Sequence, residues 1–227
     1  MTKKLHHKHS WDVSPQEAIR IQRELCAYLA IQQLNESELQ YVGGVDTTFY
    51  GDQVISAAVI LSFPSLERVE QATATVPVTF PYIPGLLSFH EAPAILASLE
   101  KIKNFPDLLM VDGHGLAHPR RFGIASHIGV LLDIPSIGCA KSLLVGKHDE
   151  LPEAAGSTTE ISNGGELIGM VVRTCKGVKP VYVSVGHKVD LRSSVQVVLA
   201  CSAGYRLPEP TRHAHILANQ KRHEYKI

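Results

Sequence analysis

The sequence is short of several features that would narrow its role at once. It has four cysteines in 227 residues, Cys26, Cys139, Cys175 and Cys201, with no Cys-x-x-Cys pair. That scatter argues against a thiolate metal cluster and against a dense disulfide framework. Three of the four sit in apolar sequence and are expected as reduced core residues, which suits a cytoplasmic protein. No window of the chain is apolar for long enough to span a bilayer. The N-terminal MTKKLHHKHSW is basic, but no apolar stretch follows it, so neither a membrane span nor a secretion signal is expected. HHKH is expected to be a solvated part of a loose tail over residues 1–12, not a metal site. Net charge is also lacking, because 22 basic residues balance 22 acidic ones. Internal repeats and a domain linker are absent too, and the length predicts a single domain over 1–227.

Balance in total hides a local excess. From Arg173 onward there are ten Lys and Arg against Asp190, Glu209 and Glu224. This suits either a polyanionic partner or a solvated basic face.

SPQEAIRIQRELCAYLA opens with a Ser14–Glu17 capping box and places Ile19, Leu25, Cys26 and Leu29 on one helical face. YVGGVDTTFY, QVISAAVILSF and RVEQATATVPV read as three strands, the first two joined by a Gly51-Asp52 hairpin turn. After FPYIPG, the spacing of Ala92, Ile95, Leu96, Leu99 and Ile102 predicts a helix, with Pro93 in its first turn. Leu108–Val111 is a short apolar run suited to a strand covered on both faces. A further helix is expected from about Pro119, carrying Ile124, Ile128 and Leu131 inward. SIGCAKS reads as a fifth strand and Gly146 to Gly165 as a surface loop. LIGMVVRT and VYVSVG follow as apolar runs. VQVVLAC fits strand or helix, and TRHAHILANQKRH closes the chain as a helix. This order predicts an α/β fold, a mixed sheet flanked by helices.

Three acids fall at junctions of that layout. Asp46 lies inside the first strand beside Gly43 and Gly44, where neither residue type is favourable. Glu91 falls near a helix start, and Asp112 caps the strand that should neighbour the first. Each has an ordinary explanation: a bulge, a first-turn acid stabilised by the helix dipole, and a turn former. Together they suit a hard cation such as Mg²⁺, bound through a few carboxylate oxygens for a metal-assisted phosphoryl cut. Gly113 and Gly115 would let a ligand approach the backbone. His114 and His118 have the spacing of a helical zinc pair, but they lie in a glycine-containing loop with no Glu between them, which argues against zinc.

The blocks GGVDTTFY, PYIPGLLSFHE, LLMVDGHGLAHPRRFGIASHIGVLLDIPSIGCAKS, VSVGHKV and GYRLPEPTRHAH, in that order from about residue 40 to 220, resemble the endonuclease V family, the deoxyinosine 3′-endonucleases. The resemblance implies an RNase H-like mixed β-sheet flanked by helices on both faces. It implies Mg²⁺, with Mn²⁺ as substitute, held by Asp46, Asp112 and Glu91. His215 matches a fourth catalytic position, and Lys141 a lysine near the scissile phosphate. Tyr82 matches a wedge that enters the duplex. Gly85, Leu87, Gly113, His118 and Ile124 match a pocket for the flipped base, and Arg120 and Arg121 lie where backbone phosphate could be met. The implied partner is inosine-containing DNA; inosine-containing RNA is a second possibility, because a base pocket read through backbone need not exclude a 2′-hydroxyl. A cytoplasmic monomer is expected. One departure is His90, where the family pattern leads one to expect Arg. His187 could support the site or fill a strand end. The rivals are another RNase H-like nuclease, acting on junctions or RNA, and a metal-free nucleic-acid-binding module with the same fold.

Overall fold

Gly51 and Asp52 turn the chain between two ten-residue strands, β1 (Tyr41–Tyr50) and β2 (Gln53–Ser62), which pair in unbroken antiparallel register from Tyr41–Ser62 to Tyr50–Gln53. β3 (Arg68–Pro77) continues the meander. The computed structural model describes residues 5–225. In it, α1 (Pro15–Cys26) precedes this meander. After it come α2 (Leu87–Glu100), β4 (Leu108–Val111), α3 (Ile124–Leu132), β5 (Ser136–Ala140), β6 (Thr158–Asn163), β7 (Glu166–Val172), β8 (Val181–His187), α4 (Leu191–Ala200) and α5 (Glu209–Glu224). The eight strands form one sheet in the order β3-β2-β1-β4-β5-β8-β7-β6. β4 runs parallel to both β1 and β5, and the other pairings are antiparallel, so the sheet is mixed.

Alternation along the strands divides the core. Val45, Ala58, Ile60, Leu109 and Val111 face α2 and α3, packing on Ala92, Ile95, Ile124 and Ile128. Val42, Val59, Leu61, Leu108 and Met110 face the other way, toward Val197, Val198 and Ala214 of α4 and α5. The four residues of β4 are fully buried, as a centrally placed parallel strand requires. Each such side chain contributes roughly 1.5–3 kcal/mol of transfer free energy. The expected sheet with helices on both faces is thus observed, as an RNase H-like arrangement.

Several local expectations change. Ser14 does cap α1, its Oγ accepting from the Glu17 backbone N–H. The buried stripe of α1, however, is Ala18, Ile21, Gln22 and Leu25, turned from the face expected through Ile19. Pro93 lies in the second turn of α2, because the helix begins earlier, at Leu87. Losing one intrahelical hydrogen bond at such a proline costs about 3 kcal/mol. Burial of Phe89, Ala92, Ile95, Leu96 and Leu99 along the same helix offsets it. α3 starts at Ile124, not near Pro119. The expected loop from Gly146 to Gly165 contains β6, an edge strand in which only Ile161 is buried. The undecided VQVVLAC segment belongs to α4, capped by Asp190 through the Ser193 N–H.

Residues 5–12 form no helix or strand, yet they are tied down: His6 N–H donates to Leu131 O, and Trp11 packs edge-on against Phe89. Positions 1–4 of the expected tail lie outside the described residues. No helix among the described residues is long and apolar enough to cross a membrane.

Candidate active site

β1 puts Asp46 on the same face as Val42, toward α5, and the helix comes close there. A Cβ on Gly44 would stand 2.1 Å from the carbonyl of Pro210, so only glycine admits the first turn of α5 against β1. This explains why the strand carries residues with poor strand propensity. The same approach brings His215 of α5 to Asp46, with Nδ1 to Oδ2 at 2.6 Å. Asn219, one turn on, donates its amide to His215 Nε2 at 3.2 Å and to the His215 carbonyl at 2.9 Å. Asp46 and Asn219 therefore define the tautomer: Nδ1 carries the proton and Nε2 accepts.

Parallel pairing of Val45 with Val111 places Asp112 beside Asp46 at the end of β4. Lys141 leaves the end of the neighbouring β5, and its Nζ bonds Asp112 Oδ2 while standing 3.6 Å from Asp46 Oδ2. Glu91 arrives from α2. It sits in the second turn, beyond the reach of the helix N-terminal dipole, so the first-turn explanation for this acid falls away. Thr47 ties two of these acids together, its N–H donating to Asp46 Oδ1 at 2.8 Å and its side chain to Glu91.

The electrostatics record this crowding. Burial pushes the Glu91 carboxyl up to about 8, the Thr47 bond works against the rise, and the charges of Asp46 and Asp112 add to it. Asp112 is pushed up to about 7 by burial first and by Asp46 next, with Lys141 opposing. Lys141 is raised above its ordinary value: burial works against its charge, but Asp112 and Asp46 outweigh it. Burial and Lys141 hold His215 below its usual value, consistent with a neutral ring.

Three carboxylates facing one ammonium form an oxygen donor set with charge to spare. Among the described residues, no three His, Cys, Asp or Glu side chains close into a ready metal cage, and Lys141 stands among the acids as the resident cation. Burial first and neighbouring negative charge second raise Glu91 and Asp112, and a hard divalent cation placed among these oxygens relieves both, so these residues fit one. A zinc pair at His114 and His118 does not fit. His114 Nε2 bonds the Ser142 carbonyl and His118 Nε2 that of Gly85, both at 2.9 Å.

The acids, Lys141 and His215 line a cleft of about 340 Å³, and Tyr82, Gly85, Leu87, Gly113, His118 and Ile124 line it as well. Tyr82 is the most exposed large hydrophobic side chain described, at 67%. Gly113 and Gly115 serve the protein itself: a Cβ would strike Ile124 at the first and the Val185 carbonyl at the second. His90 donates Nδ1–H to the Phe80 carbonyl at 2.6 Å, stacks on Phe49 and meets Tyr82 edge-on, so it supports the loop that carries Tyr82. Arg120 and Arg121 do not line the cleft. Arg120 bonds Gln22 and the Gly85 carbonyl, and Arg121 bonds Glu166, Asn163 and the His118 carbonyl. His187 accepts from Ala30 N–H and faces Asp133, away from the acids, as a strand-end residue. Thr47, Asn219 and Gln22 were not singled out from sequence. Only Gln22 left a signal there, as a polar residue within an apolar helical stripe.

The sequence model of the family described as Endonuclease V matches residues 23–216. Endonuclease V from Trichormus variabilis is 52% identical over 219 residues, covering 96% of this chain and 99% of that protein. The crystal structure of endonuclease V from Streptomyces avermitilis superposes with a TM-score of 0.90 at 38% identity, covering 100% of both chains. That of the Ciona intestinalis endonuclease V, in complex with a 23-mer DNA containing an inosine followed by a ribo-adenosine, gives a TM-score of 0.83 at 28% identity, covering 94% of this chain and 100% of that one.

Proposed function

The chain belongs to the endonuclease V family, and from that membership we propose that it is a metal-dependent DNA repair endonuclease acting on deoxyinosine. It recognises the deaminated adenine and hydrolyses the second phosphodiester bond on its 3′ side, leaving a 3′-hydroxyl and a 5′-phosphate. One observation carries the reading: Asp46, Glu91, Asp112 and Lys141, brought together from four separate segments, line one cleft with Tyr82 and Gly85.

Asp46 and Asp112, with Glu91, are the residues to hold Mg²⁺, with Mn²⁺ as substitute. When bound, the ion offsets charge building on the phosphate and makes a water more acidic. Lys141 keeps its proton and adds a positive charge beside the same phosphate. His215 spends its Nδ1–H on Asp46, orienting that carboxylate, and Asn219 holds the ring in place. Tyr82 fills the stack vacated by the base. Gly85, Leu87, Gly113, His118 and Ile124 line the part of the same cleft that would receive the base. Inosine pairs weakly, so extruding it costs less than extruding a normal base.

The cleft is built from one chain, so a monomer suffices. Four free thiols and a soluble nucleic-acid substrate suit the cytoplasm. The test is incision of matched strands carrying inosine or adenine, as DNA and as RNA, with Mg²⁺ and with chelator. Mg²⁺-dependent nicking confined to inosine-containing DNA is the expected result. Binding without nicking would favour a binding module, and preferential RNA cleavage a different nucleic-acid substrate.

A further inference from the structure

Gln22 is fully buried on α1 among Ala18, Ile21 and Leu25, against a core that includes Phe80, Leu86, Phe89 and Phe122. An amide in such surroundings is tolerated only when its polar atoms are bonded. Its Nε2 donates to the carbonyls of Gly85 at 3.1 Å and Phe122 at 3.2 Å, while its Oε1 accepts from Arg120 Nε at 2.7 Å. These partners belong to the two loops whose Gly85, His118 and Gly123 line the cleft, and Gln22 itself does not line it.

The Gly85 carbonyl is the shared point. Besides Gln22 it accepts from the Arg120 guanidinium and from His118 Nε2 at 2.9 Å. His118 Nδ1 accepts from the Arg120 backbone N–H at 3.1 Å, so the ring proton must sit on Nε2, directed at Gly85. Burial, with Arg120 nearby, pushes His118 down to about 4 and keeps it in that neutral form. Gly85 has φ +80 and ends the Tyr82–Pro84 segment, so fixing its carbonyl fixes the end of the wedge loop. Three donors on one carbonyl leave that peptide a single orientation.

We propose that Gln22 is a positioning residue for base specificity: it ties the loop carrying Tyr82 and Gly85 to the loop carrying His118 and Arg120, in the one setting in which the cleft receives an extruded base. This rests on the function proposed above. Gln22→Met keeps the volume and removes the amide; Gln22→Asn keeps the amide but shortens its reach. Binding is measured with chelator present, on a duplex containing one inosine and on the same duplex with adenine, and KM and kcat are measured with Mg²⁺. For variants that melt as wild type, the inosine-over-adenine binding ratio is expected to fall about tenfold, with KM raised and kcat within about threefold, as loss of bridging hydrogen bonds implies. An unchanged ratio in either folded variant overturns the proposal, as does a loss confined to kcat. A wild-type ratio near one would instead overturn the functional reading and leave the hydrogen-bond network untouched.

Discussion

His215 and Asp46 are 169 positions apart in sequence, yet they share a hydrogen bond of 2.6 Å across the junction of α5 and β1. Asp46 is nearly enclosed, while the ring is 44% exposed; the histidine holds Oδ2 as the Thr47 N–H holds Oδ1. His215→Ala is expected to lower the incision rate about tenfold to a hundredfold, as for loss of a hydrogen bond to a charged group. Asn219→Ala should give a smaller loss in the same assay, because the Asp46 bond survives.

Asp112→Asn removes an oxygen of the proposed metal set and the direct partner of Lys141 while keeping the shape. Single-turnover incision should fall by about 10³-fold or more, since the ion supplies several kcal/mol of transition-state stabilisation. Gel-shift binding of inosine-DNA should persist. Loss of the folded circular-dichroism spectrum instead would make Asp112 a structural residue.

The raised carboxylates give stability a pH dependence of definite sign. Glu91 and Asp112 stand at about 8 and about 7 when folded, against ordinary values near 4 in the unfolded chain. Between those limits the folded, metal-free protein holds more protons than the unfolded one, so these groups lower stability as pH rises through that window. A divalent cation replaces those protons. The rise in melting temperature on adding Mg²⁺ should therefore be larger at about pH 8.5 than at about pH 6. An equal rise at both values would count against these acids as the metal site.

Tyr82 is held at the rim by its loop, with His90 at its edge, and contributes little to the core. Tyr82→Ala should leave the melting temperature nearly unchanged and weaken binding to an inosine duplex by about tenfold, the scale of one lost base–aromatic stack. Fluorescence anisotropy would measure it. Retained discrimination between inosine and adenine would remove the wedge role.

Strands and hairpins were the most legible part of the chain. β1, β2 and β3 begin where alternation and the Gly-Asp turn place them, because each is long and the turn chemistry is local. β6 was not legible, since an edge strand with one buried side chain has a polar sequence like that of a loop. The start of α3 was misplaced for a related reason: Pro119 is a plausible first-turn residue, but His114, Gly115 and His118 hold residues 113–122 in a hydrogen-bonded loop. At the site, Asp46 beside Gly44 was readable as a conflict with strand propensity, whereas Glu91 and Asp112 had ordinary local explanations and stood out only by where they fall in the layout and by the family resemblance. Lys141 as the cation between Asp46 and Asp112, Asn219 behind His215 and Gln22 behind Gly85 are tertiary relationships that no spacing encodes. The register of α1 alone could have pointed to Gln22.

The tight seat of α5 on Gly44 has a bearing on how the molecule matures. Asp46 emerges early in translation, whereas the histidine that steadies it is made only after every strand has been completed. A nascent chain therefore carries its acids well before it can arrange them, and readiness to cut DNA awaits the docking of the closing helix.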